Sequence, residues 1–381
     1  MSSQIVVLWS DALMGLLVLC VTALGIRLAR DPRHALARAR LKQNRLAQGA
    51  AFVLLMFAGI GLLDSLHFRE RLPGYDSASP RYSVEVLSVL DVVLGDLRLH
   101  TEKTYSAPFA EHQFSKESQV SPEGKLLGRD YPPLRYPGSH WLGTDKVGQD
   151  VLYQALKSIR TAWIIGLVAT LVTLPLALCL GMVAGYFRGW VDDVIQYLYT
   201  VLNAIPSVLL IAAAALMMQV WIDTHPQWFS TAAERADLRL LALCFILGMT
   251  SWTGLCRLLR AETLKLRALD YVLAARASGV GHVRILLRHI LPNLMHLVII
   301  ALVMDFSSLV LAEAVLSYVG IGVDPTMTSF GTMINNARLE LGREPVVWWS
   351  LTAAFVFMFV LVLAANLLAD AVRDAFDPRM A

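Results

Sequence analysis

The chain has 381 residues, of which 56% are hydrophobic and 17% charged, with a mean hydropathy of +0.55. That is too apolar for a soluble protein with one core and one surface, and it marks a polytopic membrane protein. The net charge of +3 is small and its basic residues follow membrane topology, so composition gives no reason to expect nucleic-acid binding.

The first apolar run, Ile5 to Ile26, is interrupted only by Asp11. A signal peptide carries its positive charges ahead of the apolar stretch, whereas here Met-Ser-Ser-Gln precedes it and seven Lys and Arg follow in 27–48. The run reads as a retained span and the basic segment as cytoplasmic. A second run, Gly49 to Leu66, is just long enough to cross ~30 Å of hydrocarbon at about 1.5 Å per residue.

Residues 67–160 contain no apolar run long enough to span. They are rich in Pro, Tyr and Ser, with one amphipathic stretch, Val84 to Leu99, whose Val86, Leu87, Leu90, Leu94 and Leu97 have something to bury. A small extracytoplasmic subdomain with a helix and much loop is expected. Near its end, Gly143-Thr144-Asp145 reads as a turn capping the next helix. Asp145 or Thr144 is the expected N-cap, and Gly143 and Gly148 supply backbone freedom.

Five further spans are expected: Thr161 to Phe187, Val194 to Ile222, Leu240 to Cys256, Ile290 to about Val319, and Pro345 to Ala369. Gly181 and Gly185 form a small-xxx-small face suited to close helix packing. Pro206 should kink the second of these spans. Cys20, Cys179, Cys244 and Cys256 lie in apolar runs and read as small core residues, neither disulfides nor metal ligands. Ionisable groups in lipid are costly, so Asp305 and Glu313, with His296 nearer the start of that span, should face the bundle or a cavity. For Glu313 both helix packing and a place on a translocation path or gate stay open, and Asp305 is a candidate for contact with a cationic substrate group.

Between the third and fourth of these spans stands Tyr271 to Asn293. Its first part favours helix and stops at Gly279, where a left-handed cap costs little. A second helical run, His282 to Ile290, meets Pro292, which is tolerated in a first turn. Arg276, Arg284 and Arg288 keep the segment out of lipid, so it should lie on the cytoplasmic surface as helix, bend, helix, then membrane entry. With the N-terminus outside, seventeen of the 33 Lys and Arg fall in short inner segments and four in short outer ones. Seven spans with an outside start and an inside end therefore fit the positive-inside rule.

Several stretches resemble permease subunits of binding-protein-dependent ABC importers, the dipeptide/oligopeptide branch in particular. In the cytoplasmic loop, Ala274, Ala275, Gly279, Leu291 and Pro292 fall on the family spacing, with Leu273 and His289 departing from it; Tyr271 and Arg276 belong to the same wording. His140 to Trp163 resembles the pattern ahead of the first core span, matching at Leu142, Gly143, Thr144, Asp145, Gly148, Asp150, Val151 and Leu152, with Trp141 and Gln149 departing. Gly185 to Asp192, Asn203 to Pro206, Ala312 to Gly320 and Asn366 to Arg379 add further matches. Together these cover His140 to Arg379, and the span at Ile5 to Ile26 looks additional.

The resemblance implies an all-α polytopic fold of about seven transmembrane helices. An extra helix and basic loop would occupy 1–48, a first core-type helix 49–66, the extracytoplasmic subdomain 67–160, and a five-helix permease core 161–381 with its coupling loop at 261–289. It further implies that the loop docks on a cytoplasmic ATPase. The implied partners are a second similar permease, two ATPases and an extracytoplasmic binding protein, with ATP and Mg held by the ATPases and no cofactor in this chain. No Gly-x-x-x-x-Gly-Lys-Ser/Thr loop, His-Glu-x-x-His, Cys-x-x-Cys or Gly-x-Ser-x-Gly occurs, so no catalytic or metal residue is nominated. Two other classes stay open: an ion-coupled secondary transporter using Asp305, Glu313 and His296, and a membrane sensor or scaffold built on 67–160.

Overall fold

The structure is a computed structural model, described here for residues 4–30, 35–71, 82–120, 126–229 and 231–376. It begins with a short strand, β1 (Gln4–Val6), and α1 (Trp9–Arg30). A short basic helix, α2 (Ala35–Gln43), leads into α3 (Arg45–Asp64), whose N-cap Asn44 accepts from the Leu46 and Ala47 amides. The second span thus starts ahead of the expected Gly49, because the cap lies in the polar turn.

The segment between α3 and α6 is less helical than its composition suggested. Strands β2 (His67–Arg69) and β3 (Leu87–Ser88) join β1 in an antiparallel sheet of order β1-β2-β3. The expected amphipathic helix is broken in two, α4 (Val89–Val93) and α5 (Gly95–Leu99), because Ser88 starts α4 with a capping box and Leu94 leaves helical geometry. A hairpin, β4 (Glu117–Val120) and β5 (Leu126–Asp130), follows.

The membrane part is built on α6 (Val151–Phe187) and α9 (Ala232–Leu266). Between them lie α7 (Trp190–Ala204) and α8 (Ser207–Thr224). After α9 come α10 (Asp270–Ala277), α11 (His282–Ile285) with a π turn over Leu286–Ile290, and α12 (Leu291–Val319). The chain closes with α13 (Phe330–Arg338) and α14 (Trp349–Phe376), the latter packed on α3 and α12. Six helical stretches among the described residues are long and apolar enough to cross a membrane: Arg45–Asp64, Val151–Phe187, Ser207–Thr224, Ala232–Leu266, His282–Val319 and Trp349–Ala375. In α1 the stretch Trp9–Leu19 is apolar but shorter.

Lipid tails are as apolar as leucine, so helix pairing in a bilayer depends on close packing rather than on the hydrophobic effect. On α6, a Cβ at Gly181 would stand 2.8 Å from the Cys256 carbonyl oxygen, and one at Gly185 would stand 2.7 Å from that of Arg260. At Gly166 the ring of Phe306 fills the space instead. These positions let α6 lie directly on α9 and α12. Cys244 and Cys256 are buried in this packing as expected, whereas Cys179 faces outward. The Cys20 side chain lies outside the described residues.

Two expectations are corrected. Pro206 does not kink a continuous helix; Ile205 and Pro206 adopt extended geometry and separate α7 from α8, which restarts with the Leu209 and Leu210 amides bonded to the Pro206 carbonyl. The N-cap of α6 is neither Thr144 nor Asp145 but Asp150, whose Oδ1 accepts from Leu152 N at 2.8 Å and Tyr153 N at 3.1 Å. Thr144 and Asp145 bond elsewhere, the Thr144 hydroxyl with the Ser106 amide and Asp145 with the Val147 and Gln149 amides.

Candidate functional site

At the end of the bundle where α9 meets α12, α10 stands out as a single two-turn helix. Asp270 sits in its first turn, where a negative charge suits the helix dipole. The chain then turns at Gly279, φ +76°, with the Val280 amide reaching back to the Ala275 carbonyl at 3.1 Å. That closure needs a left-handed residue, which glycine supplies at no steric cost. Val272 is buried and Ala275 packs beside it, so the face turned outward carries Tyr271, Leu273, Ala274 and Arg276. Beyond it, Gly281, His282, Arg284, Leu287, Arg288 and Pro292 line an open trough of about 890 Å³.

This small unit is tied to four helices. Asn293 Nδ2 donates to the Tyr271 hydroxyl at 3.0 Å, linking α10 to the first turn of α12. The Tyr186 hydroxyl lies 2.9 Å from His282 Nδ1, and Arg267 donates to the Tyr186 carbonyl at 2.8 Å. Arg260 of α9 grips Asp192 of α7 through two bonds of 2.5 and 2.7 Å. Those bonds to Arg260 hold the Asp192 carboxyl below its ordinary range. Val272 of α10 is buried in the apolar cluster that also holds Tyr186 of α6, Tyr199 of α7, Trp252 of α9 and Leu294 of α12. The π turn over Leu286–Ile290 merges the loop into α12 and leaves Pro292 in that helix's first turn.

The three intramembrane candidates separate. Glu313 is 2% exposed and its Oε1 accepts from Ser317 at 2.5 Å and from Ser329, the N-cap of α13, at 2.9 Å. It closes the junction of α12 with α13. Asp305 is half-buried two turns away on α12. Pro206 lies where α7 gives way to α8, and just ahead of it Asn203 Oδ1 accepts from the Thr253 hydroxyl of α9 at 3.0 Å.

The Gly143 to Asp150 motif is a clasp that seats the segment preceding α6 on the bundle. The Thr144 hydroxyl accepts from the Ser106 amide at 2.7 Å, while the Thr144 carbonyl accepts from Trp349 Nε1 at 2.9 Å. Asp145 accepts from the Val147 and Gln149 amides, both at 2.9 Å. Gly148, φ +76°, lies against Glu102, whose carbonyl oxygen would stand 1.8 Å from any added Cβ. Asp150 Oδ2 lies 2.9 Å from His140 Nδ1, and Glu102 accepts from the Arg135 and Tyr136 amides at 3.0 and 2.7 Å.

A second buried cluster had no sequence signal beyond the isolated charges themselves. Arg160, 5% exposed, donates to Asp11 at 2.7 Å and to Ser10 at 2.9 Å. His67 Nδ1 lies 2.8 Å from Asp11 Oδ2, and Ser10 also donates to Asp237 of α9. The start of α1 is thereby fastened to α6 and α9. Nearby, Lys157 of α6 bonds Asp91 at 2.8 and 3.0 Å. Burial pushes the Asp91 carboxyl up, but Lys157 and the surrounding donors more than offset it and hold it below its ordinary range. Among the described residues no group of three or more His, Cys, Asp or Glu could hold a metal ion.

Comparison with known proteins agrees with this architecture. The chain is 32% identical over 246 residues to the oligopeptide transport system permease protein OppC of Mycobacterium tuberculosis, covering 64% of this chain and 78% of that protein. It is 33% identical over 244 residues to the glutathione transport system permease protein GsiD of Pectobacterium atrosepticum, covering 64% and 73% respectively. An inward-facing structure of the MetNI methionine ABC transporter aligns with 60% of this chain and 98% of its own, at 14% identity and a TM-score of 0.45. Residues 177–381 match the family described as binding-protein-dependent transport system inner membrane component, and the chain belongs to that family.

Proposed function

We propose that this chain is one of two permease subunits of an ATP-driven peptide importer and forms half of its translocation path. Its relatives are named as oligopeptide, dipeptide and glutathione permeases, which is what points to small peptides as cargo. The observation that carries the mechanism is α10: a two-turn helix that exposes Leu273, Ala274 and Arg276, is bonded to α12 through Tyr271 and Asn293, and buries Val272 among residues of α6, α7, α9 and α12. ATP hydrolysis belongs to two cytoplasmic ATPases, one of which would receive α10 in a surface groove. Closure of the ATPases would move α10 and rock the bundle between two packed states. An extracytoplasmic binding protein would deliver cargo to the side bearing residues 67–160, with the N-terminus outside and the C-terminus in the cytoplasm.

In this reading Tyr271, Ala274, Ala275, Arg276, Gly279 and Pro292 form the coupling element, and Pro206 and Asp305 border the path. Glu313, enclosed by Ser317 and Ser329, serves as a structural latch rather than a cargo contact. The bonds made by Gly143, Thr144, Asp145, Gly148 and Asp150 fit a structural role for the outer motif. Affinity purification from the native membrane tests the assembly. Two nucleotide-binding subunits and one similar permease should copurify with the chain, and a chain that purifies alone yet transports would refute the reading.

A further inference from the structure

Past the Gly279 bend, α11 and the π turn carry two neighbouring rows of side chains into the first turns of α12. Val283, Leu287, Leu291 and Met295 follow one another at steps of four, and beside them run Arg284, Arg288, Pro292 and His296. The opposite flank is committed to the core, where Ile285, Leu286, Ile290 and Leu294 are buried with Val272. The apolar row has no such cover. Leu291 is half-buried, but Val283 is 68% exposed, Leu287 56% and Met295 39%. Arg284, Arg288, Pro292 and His296 are exposed as well.

Both rows border the open trough of about 890 Å³. Its walls are apolar at Val283, Leu287 and Pro292 and cationic at Arg284 and Arg288, and no carboxylate lines it. Among the described residues neither guanidinium has a carboxylate partner. Two like charges one helical turn apart repel each other, and a phosphate between them would relieve that repulsion. The trough stands at the head of His282–Val319, a stretch long and apolar enough to cross a membrane, and the row of Val283 and Leu287 runs on into it as Leu291 and Met295. A soluble partner would match the arginines but not an apolar row that continues into a span. A molecule with an anionic head and a hydrocarbon tail matches both.

We propose that this trough holds an anionic phospholipid of the inner leaflet, with its phosphate between Arg284 and Arg288 and an acyl chain along Val283, Leu287 and Met295. The proposal rests on the cytoplasmic placement of this loop in the permease reading. Guanidinium groups take phosphate through paired, charge-assisted hydrogen bonds, and their stems lie on apolar surface while the charge stays at headgroup level. Anionic lipids also draw basic side chains that stand next to a membrane helix. A lipid held there would pin the second half of the loop to the membrane surface, while α10, ahead of the Gly279 bend, stays free to face the ATPase.

The test uses the full complex purified in detergent, offered equal amounts of phosphatidylglycerol and phosphatidylcholine with identical acyl chains, and counts the retained lipid by native mass spectrometry. The wild type should prefer phosphatidylglycerol. Arg284→Gln/Arg288→Gln should weaken its binding by about thirtyfold and each single change by about fivefold, while Arg284→Lys/Arg288→Lys should keep the preference. Leu287→Gln should weaken both lipids alike, since it alters the wall and not the charge. Equal retention of the two lipids by the wild type would overturn the proposal. So would an equal loss in Lys42→Gln/Arg45→Gln, which removes the same charge from α2 and its junction with α3 and would reveal only diffuse attraction. Displacement of the lipid by excess inorganic phosphate would assign the arginines to a soluble anion instead. Retention by the isolated chain but not by the complex would show that a partner subunit covers the trough, and would also overturn the proposal. Whether ATPases copurify is read separately and bears on the permease reading alone.

Discussion

Arg160 of α6 donates to Asp11 of α1 at 2.7 Å, and this buried pair binds the first helix to the helix on which the rest of the bundle is packed. The same guanidinium reaches Ser10, which in turn bonds Asp237 of α9. One cation therefore serves a cluster holding two carboxylates and His67. Removing it leaves Asp11 and Asp237 buried without that cation, whereas replacing Arg160 and Asp11 together leaves only Asp237, which Ser10 still bonds.

Arg160→Met should accordingly destabilise the protein by about 3–5 kcal/mol. The double variant Arg160→Met/Asp11→Leu should recover part of that loss. Thermal unfolding of the purified protein in detergent measures both. A single variant that melts like wild type would show that α1 is held by apolar packing alone.

Gly148 offers a test of the outer clasp. An added Cβ there would stand 1.8 Å from the Glu102 carbonyl oxygen, a backbone atom that cannot swing away. Gly138 has a similar φ of +70° but nothing within 4 Å. Gly138→Ala should cost only the left-handed strain, about 1–2 kcal/mol. Gly148→Ala adds an overpacking penalty and should loosen residues 82–150 to limited proteolysis. Equal protease resistance in the two variants would contradict the described packing.

Acid should act on the segment between α3 and α6 through Asp91. Burial raises its pKa, but Lys157 and the bonds from Ser88 and Tyr153 lower it further, so the folded value lies below 3.8. A depressed folded pKa means that the stabilisation is complete above the unfolded value and is lost as pH falls through the folded one. Stability should therefore hold down to about pH 4 and decline below it. Lys157→Met removes the main offset to burial, so the folded pKa of Asp91 rises and the variant should be less stable at neutral pH but lose less stability on acidification than the wild type. Melting curves at a series of pH values would show the two profiles converging towards low pH, and parallel profiles would count against it.

Much of the bundle was legible in the sequence. The apolar runs forecast α3, α6, α9, α12 and α14, since hydropathy reports what lipid requires. Gly279 and Pro292 marked the bend and the re-entry of the loop, because left-handed geometry and a first-turn proline are local demands. The reach of the break at Pro206 was hidden: a proline in an apolar run can kink a helix or end it, and the surrounding helices decide which. Asp150 was passed over as a cap because Thr144 and Asp145 offered equally good side chains. The Arg160 cluster could not be seen at all. Its partners lie 149 residues away for Asp11, and Ser10 and Asp237 are 227 apart, so only the tertiary fold brings them together.

The central claim is that α10 transmits ATP hydrolysis in partner subunits to movement of this bundle. Its most direct test is peptide uptake and ATPase activity measured together in reconstituted vesicles, for the wild type, Ala274→Glu and Gly279→Pro. Ala274 lies on the exposed face of α10, and at Gly279 a φ of +76° excludes proline. The account predicts that both variants keep the fold of the bundle but lose ATP-coupled uptake. Uptake by the wild-type chain with no ATPase present, or undiminished coupled uptake by both variants, would contradict it.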